Sequence, residues 1–114
     1  MTVVETERFL KDMEPLIDDA ERAHLVAFIG ANPGAGKMMP ETGGVRKLGW
    51  GLPGKGKRGG LRVIYYYHSA RLPVFLLAAY AKNAKENLTP AERIAMKRMV
   101  SVLVAGYPRR NEED

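Results

Sequence analysis

Three segments that contain β-branched and aromatic residues follow one another closely in the middle of the chain, at positions 45–50, 61–67 and 74–80. Residues of these types favour extended backbone. The connections at 51–60 and 69–72 are short and contain Gly, Pro or Ser, which form turns. Because short connections join antiparallel neighbours, the sequence predicts a three-stranded antiparallel meander.

Helix signals flank this meander on both sides. Asp18 is a candidate N-cap with Glu21 three residues later, which predicts a helix that ends near Asn32, where a Pro-Gly pair follows. Residues 89–92, Thr-Pro-Ala-Glu, combine a capping box with proline at the first helical position and predict a closing helix over 90–105. A weaker pattern near the N-terminus predicts a short strand and then a short helix, at Val3, Val4, Phe9, Leu10 and Met13.

Basic and acidic residues are strongly segregated along the chain. Residues 37–85 contain ten basic and one acidic residue, whereas residues 1–36 contain three basic and seven acidic, and residues 86–114 contain five of each. A field this one-sided steers polyanions to one part of the molecule. We expect the segment from Gly44 to Lys85 to bind the phosphate backbone of RNA; the alternative is a solvated basic face without a ligand.

Length and composition exclude several classes of protein. A chain of 114 residues with 46% hydrophobic content fits one domain, residues 1–114. The sequence has no cysteine, which excludes disulfide scaffolds, thiolate zinc sites and cysteine nucleophiles. The N-terminal segment is acidic where a signal peptide needs a basic start, and the longest apolar stretch, 73–81, is too short to cross a bilayer. These features predict a cytoplasmic protein with no membrane partner.

Residues 51–57 match the G-x-x-x-x-G-K spacing of a nucleotide-binding P-loop. Two features argue against a nucleotide triphosphatase. Arg58 stands where magnesium requires Ser or Thr, and Gly59 and Gly60 lead into a predicted strand instead of a helix.

Basic and aromatic residues share the predicted strands and their connections. Pairing of the strands brings together the basic residues Lys47, Lys55, Lys57, Arg58, Arg62 and Lys82. A concave sheet lined with cations can neutralise successive phosphates, and aromatic rings at Trp50 and 65–67 are candidates for base stacking. Strand alternation places Tyr66 on the face opposite Tyr65 and Tyr67, so the rings of at least one face are expected in the core.

Few side chains in this segment suit acid–base or metal chemistry. His68 ends the central strand and is a candidate for a functional role, whereas His24 lies within a predicted helix. Glu41 is the one carboxylate in residues 37–85, which disfavours paired-carboxylate hydrolysis and a magnesium-dependent nuclease site. We expect neither a metal ion nor a cofactor.

Several segments, in their order along the chain, resemble the HigB branch of the RelE/ParE toxin superfamily. They are the helix 18–36 with its Asn-Pro-x-x-Gly exit, residues 43–48, the loop 54–60, residues 62–67, residues 80–83, and the helix start 88–92. The resemblance implies a small α+β fold, with two N-terminal helices packed on a curved antiparallel sheet and a C-terminal helix. It also implies an endoribonuclease toxin that cleaves mRNA in the ribosomal A site by attack of a ribose 2′-hydroxyl on the adjacent phosphate. Its partners would be the ribosome, mRNA and a co-encoded, HigA-like helix-turn-helix antitoxin.

The same resemblance assigns catalytic positions to Lys47, Arg62 and Lys82. Arg62 would stabilise the phosphate, and Lys47 would be the base if neighbouring cations depress its pKa. Residues expected to bind RNA are Arg46, Lys55, Lys57, Arg58 and Lys85, and further candidates are Tyr66 and His68.

The sequence departs from RelE at three places. Gly49 stands where RelE has a second lysine, Asn83 stands where it has an arginine, and no tyrosine occurs in residues 85–89. The base and the general acid are therefore left open. Two alternatives also stay open, a ParE-like inhibitor of DNA gyrase and an RNA-binding domain without catalytic activity.

Overall fold

The computed structural model describes residues 1–52, 59–85 and 87–107. Along the chain the elements are β1 (Val3–Glu5), α1 (Glu7–Met13), α2 (Asp19–Ala31), β2 (Lys37–Met38), β3 (Val45–Trp50), β4 (Leu61–Tyr66), β5 (Val74–Ala81) and α3 (Pro90–Gly106). This set of helices and strands confirms the predicted α+β class. Within these ranges, no helix has the length and apolar character needed to cross a membrane.

The capping signals in the sequence set the helix starts. Asp18 accepts a hydrogen bond of 2.8 Å from the backbone N–H of Glu21, and α2 begins at the next residue. At α3, Thr89 and Glu92 form the reciprocal capping box, with Pro90 in the first turn. These contacts satisfy backbone N–H groups that have no partner inside the helix, which is why both starts were predictable.

The five strands form one sheet in the order β1-β5-β4-β3-β2. The predicted antiparallel meander of β3, β4 and β5 is present at its centre. The structure adds a strand at each edge. β1 pairs with β5 in parallel, with Val3 opposite Val74, and β2 pairs antiparallel with β3, with Lys37 opposite Lys47. The sheet is therefore mixed.

Each face of the sheet is covered by helices. The helices α1 and α2 pack on one face, which we call the helix-pair face, through Phe9, Met13, Leu25 and Ile29. On the other, the α3 face, Met96 and Val100 join a separate core cluster. Strand β5 is buried from Val74 to Ala79 and becomes partly exposed at Tyr80. Helix α3 therefore leaves the end of the α3 face near Tyr80 uncovered, and the candidate site lies at this end.

Candidate nucleic-acid interface

Strand alternation places a row of polar residues on the open end of the α3 face. Gly49 lies opposite Arg62 in the β3–β4 register, and Arg62 lies opposite Tyr80 in the β4–β5 register. One row further in, Lys47 lies opposite Ile64, whose side chain belongs to the core beneath α3. Because directly opposite residues share a face of the sheet, Lys47, Arg62 and Tyr80 point to the same side.

The side chain of Lys82 comes back over this row from just beyond β5. A Cβ atom at Gly49 would lie 3.2 Å from Lys82 Nζ and 3.9 Å from Arg62 Nη1. The space that a side chain at position 49 would fill is therefore occupied by the Lys82 amine, beside the Arg62 guanidinium. The structure brings Lys47, Arg62 and Lys82, the three residues predicted to be catalytic, to one surface.

Lys47 is held by a neutral acceptor and surrounded by other cations. Its Nζ donates a hydrogen bond of 3.0 Å to the side-chain oxygen of Asn87. Partial burial is the largest cause that lowers the pKa of Lys47, and the positive charges of Arg62, Lys37 and Arg93 lower this pKa further. A lysine with a lowered pKa has a larger neutral fraction and is a better proton acceptor near neutral pH.

Tyr80 adjoins the cations and is the main residue that the sequence analysis did not propose. The ammonium of Lys85 lies 5.0 Å from the centre of the Tyr80 ring and forms an ion pair with Glu92. Burial is the main cause that raises the pKa of Tyr80; Arg62 opposes this and Glu92 adds to it. The phenol is therefore protonated at neutral pH. Its position opposite Arg62 in the strand register is the signal that would have identified it.

The site carries a strong excess of positive charge. We define the cation site as the basic residues gathered on this surface, Lys37, Lys47, Arg62, Lys82, Lys85 and Arg93. Glu92 forms an ion pair with Lys85 and so neutralises its charge. The hydrogen bond between these two side chains is the largest cause that lowers the pKa of Glu92. Among the described residues, no acidic side chain forms an ion pair with Lys47, Arg62 or Lys82. Uncompensated cations this close together favour an anionic ligand.

Three further candidates lie away from the cation site. Arg46 points to the helix-pair face, where its guanidinium donates to the carbonyl oxygens of Gly36 at 2.8 Å and Gly34 at 3.3 Å. This contact fixes the segment before β2. His68 is exposed and stacks on Tyr66, which is 6% exposed. His68 lies beyond the far end of β4 from Arg62, about 20 Å away for a six-residue separation.

The predicted loop cations Lys55, Lys57 and Arg58 lie outside the described residues. Among those that are described, the structure contains no cluster of three or more metal-ligating His, Cys, Asp or Glu side chains.

The aromatic residues of β3 and β4 contribute mainly to packing. Trp50 donates from its indole N–H to Glu21 at 2.9 Å and contacts the rings of His24 and Phe28 on α2. Tyr65 is fully buried. The expectation that at least one face of these aromatics belongs to the core is confirmed, since Tyr65 and Tyr66 lie in separate core clusters.

The arrangement suits the binding of a phosphodiester. It offers an arginine and a lysine side by side, a second lysine with a lowered pKa, and a protonated phenol. A comparison with protein families finds that residues 7–109 match the model described as the RelE toxin of the RelE / RelB toxin-antitoxin system. The match spans the chain from α1 past the end of α3 and includes every residue of the cation site.

Proposed function

Because this chain belongs to the RelE toxin family of toxin–antitoxin systems, we propose that it is a ribosome-dependent mRNA endonuclease of the HigB-like branch. Cleavage of mRNA in the ribosomal A site would inhibit translation. The observation that carries this proposal is the convergence of Lys82 and Arg62 over Gly49, with Lys47 on the same surface.

The pair formed by Arg62 and Lys82 is the proposed phosphate-binding element. Because position 49 is a glycine, the Lys82 amine lies directly over the strand, beside the Arg62 guanidinium, and the two cations face the same side of the sheet. Preorganised charges of this kind stabilise the negative charge that develops on a phosphate in the transition state. The arginine adds a planar, two-pronged donor that matches two phosphate oxygens.

The proposed reaction is an internal transfer at phosphorus. The ribose 2′-oxygen attacks the adjacent phosphorus and forms a 2′,3′-cyclic phosphate, while the bond from phosphorus to the 5′-oxygen of the next nucleotide breaks. Lys47 Nζ takes the proton from the 2′-hydroxyl, and the Tyr80 hydroxyl gives a proton to the leaving 5′-oxygen. The lowered pKa of Lys47 favours the neutral amine that the first role needs, and the Tyr80 phenol is in the protonated form that the second role needs.

The packing of the aromatic residues in the core supports the proposed dependence on the ribosome. A protein that binds single-stranded RNA by itself usually stacks successive bases on exposed rings. In this chain Trp50, Tyr65 and Tyr66 are committed to packing, and Tyr80 is the described aromatic residue that adjoins the cation site. We therefore propose that the ribosome positions the mRNA strand and that this chain supplies the charged surface and the proton transfers.

The proposal includes a HigA-like antitoxin as partner and a cytoplasmic location, where translating ribosomes are found. The purified chain, added to a translating extract, is expected to produce mRNA truncated within codons. Supercoiling by DNA gyrase, measured in parallel, is expected to be unaffected. Inhibition of gyrase with intact mRNA would instead support the ParE-like alternative, and RNA binding without either activity would support the non-catalytic one.

A further inference from the structure

Helix α3 carries a second apolar stripe on the side that faces away from the sheet. Met96 and Val100 are buried against the sheet, whereas Ile94 is 58% exposed and Val102 is 68% exposed. The exposed stripe consists of Ala91, Ile94, Ala95, Val102 and Ala105, with Arg98 at its centre. Spacings of three and four residues align these positions along one side of a helix.

The stripe is long enough to accommodate another helix. From Ala91 to Ala105 it extends about 21 Å along α3, or about four turns. Exposed apolar residues grouped on one side of a helix mark an interaction site more often than scattered single residues do. We call this surface, together with Lys97 and Arg98, the outer face of α3.

Charge on the outer face selects the kind of partner. Lys97 and Arg98 are exposed, and no acidic residue lies among the exposed residues of α3. The one carboxylate of this helix, Glu92, is bound to Lys85 at the edge of the cation site. A partner that combines apolar residues with acidic flanks would match this surface in both respects.

We propose that the outer face of α3 docks an acidic amphipathic helix of a protein partner. A nucleic acid fits this surface less well, because contact between phosphates and the apolar side chains of Ile94 and Val102 contributes no binding free energy. A second copy that uses the same surface would bring Arg98 against its counterpart, which opposes association. The docked helix covers the side of α3 opposite Met96 and Val100, so it leaves α3 packed on the sheet.

The test uses a synthetic amphipathic peptide of about 18 residues, with leucines on one side and glutamates on its flanks. A second peptide replaces each glutamate by lysine. The acidic peptide is expected to bind at least about tenfold more tightly than the basic one in fluorescence anisotropy. Amide NMR signals around Ile94 and Val102 are expected to shift on binding.

Two double variants test the two properties of the surface separately. Ile94→Ser with Val102→Ser removes the apolar contact, and Lys97→Glu with Arg98→Glu reverses the charge. Each is expected to weaken binding of the acidic peptide by about tenfold or more, while the exposed α1 variant Lys11→Glu leaves it unchanged. If the serine variant fails to fold, the charge reversal alone decides the question.

Three results would overturn the proposal: equal affinity for the two peptides, NMR shifts centred on Lys47 and Arg62, or self-association of the chain that the serine substitutions abolish. None of these results depends on whether the chain cleaves mRNA.

Discussion

The ammonium group of Lys47 donates a hydrogen bond of 3.0 Å to the side-chain oxygen of Asn87, forty residues later in the chain. This bond links β3 to the segment that leads into α3. It fixes the amine without a negative charge beside it. A carboxylate at the same position would hold the amine equally well but would favour its protonated form.

This relationship predicts how the cleavage rate depends on pH. In the proposed mechanism the neutral amine of Lys47 accepts the proton, so the rate should rise with pH through the pKa of Lys47. Partial burial keeps this pKa low, and the charges of Arg62 on β4, Lys37 on β2 and Arg93 on α3 lower it further. Asn87→Asp favours the ammonium form and raises the pKa of Lys47. We expect the rising limb of the rate profile to move to higher pH. The rate at neutral pH should fall about tenfold for each pH unit that the limb moves.

A direct titration of the Lys47 side chain by NMR checks the same prediction without an activity assay. Ser101→Asp, which adds the same charge on the exposed side of α3, is the matched control and should leave the titration unchanged. An unaltered Lys47 titration in Asn87→Asp would contradict the prediction.

The space above Gly49 predicts a rescue. Lys82→Ala should lower the cleavage rate by about a hundredfold, because it removes one of the two cations beside the phosphate. Adding Gly49→Lys should recover part of this loss, because a lysine at 49 reaches the space that Lys82 Nζ vacates. Gly51→Lys is the control, since an added Cβ at Gly51 has no atom within 4 Å. Equal recovery by the two lysines, or none by Gly49→Lys, would count against the proposed phosphate position.

The buried hydroxyl of Tyr65 predicts an effect on stability alone. It donates to the carbonyl oxygen of Pro33 at 2.7 Å and accepts from the backbone N–H of Gly36 at 2.8 Å. Tyr65→Phe leaves both backbone groups without this partner and should lower the free energy of unfolding by about 1–3 kcal/mol, measured by urea denaturation. Cleavage by the folded variant should be unchanged, because Tyr65 packs on the helix-pair face. A stability equal to that of the wild type would show that the two bonds contribute little.

Much of the fold was predictable because its signals are local. The Asp18 cap and the Thr89 capping box set the starts of α2 and α3, and the composition of 45–50 predicted β3 with its observed bounds. The two-residue strand β2 and the parallel pairing of β1 with β5 were not predicted. The first is too short to carry a periodic pattern, and the second joins segments about seventy residues apart, for which the sequence contains no local signal.

The candidate site also contains residues that could be predicted from the sequence and residues that could not. Pairing of the predicted strands brought Lys47 and Arg62 together, and the resemblance to known toxins proposed both. Asn87 and Arg93 reach Lys47 through the packing of α3, which no spacing along the chain reveals. Arg46 was predicted to bind RNA, but it lies on the opposite face of the sheet from its neighbour Lys47. There it donates a hydrogen bond to the carbonyl oxygen of Gly36, in the segment before β2.

Cleavage of a defined mRNA in a translating extract, mapped by primer extension, tests the proposed function most directly. Wild-type protein should truncate the mRNA within codons. Lys47→Ala and Arg62→Ala should each lower the rate by about a hundredfold or more, whereas Lys11→Ala, on the exposed side of α1, should retain it. Circular dichroism spectra should show that all variants are folded. Full-length mRNA with the wild-type protein, or undiminished cleavage by folded Lys47→Ala and Arg62→Ala, would contradict the account.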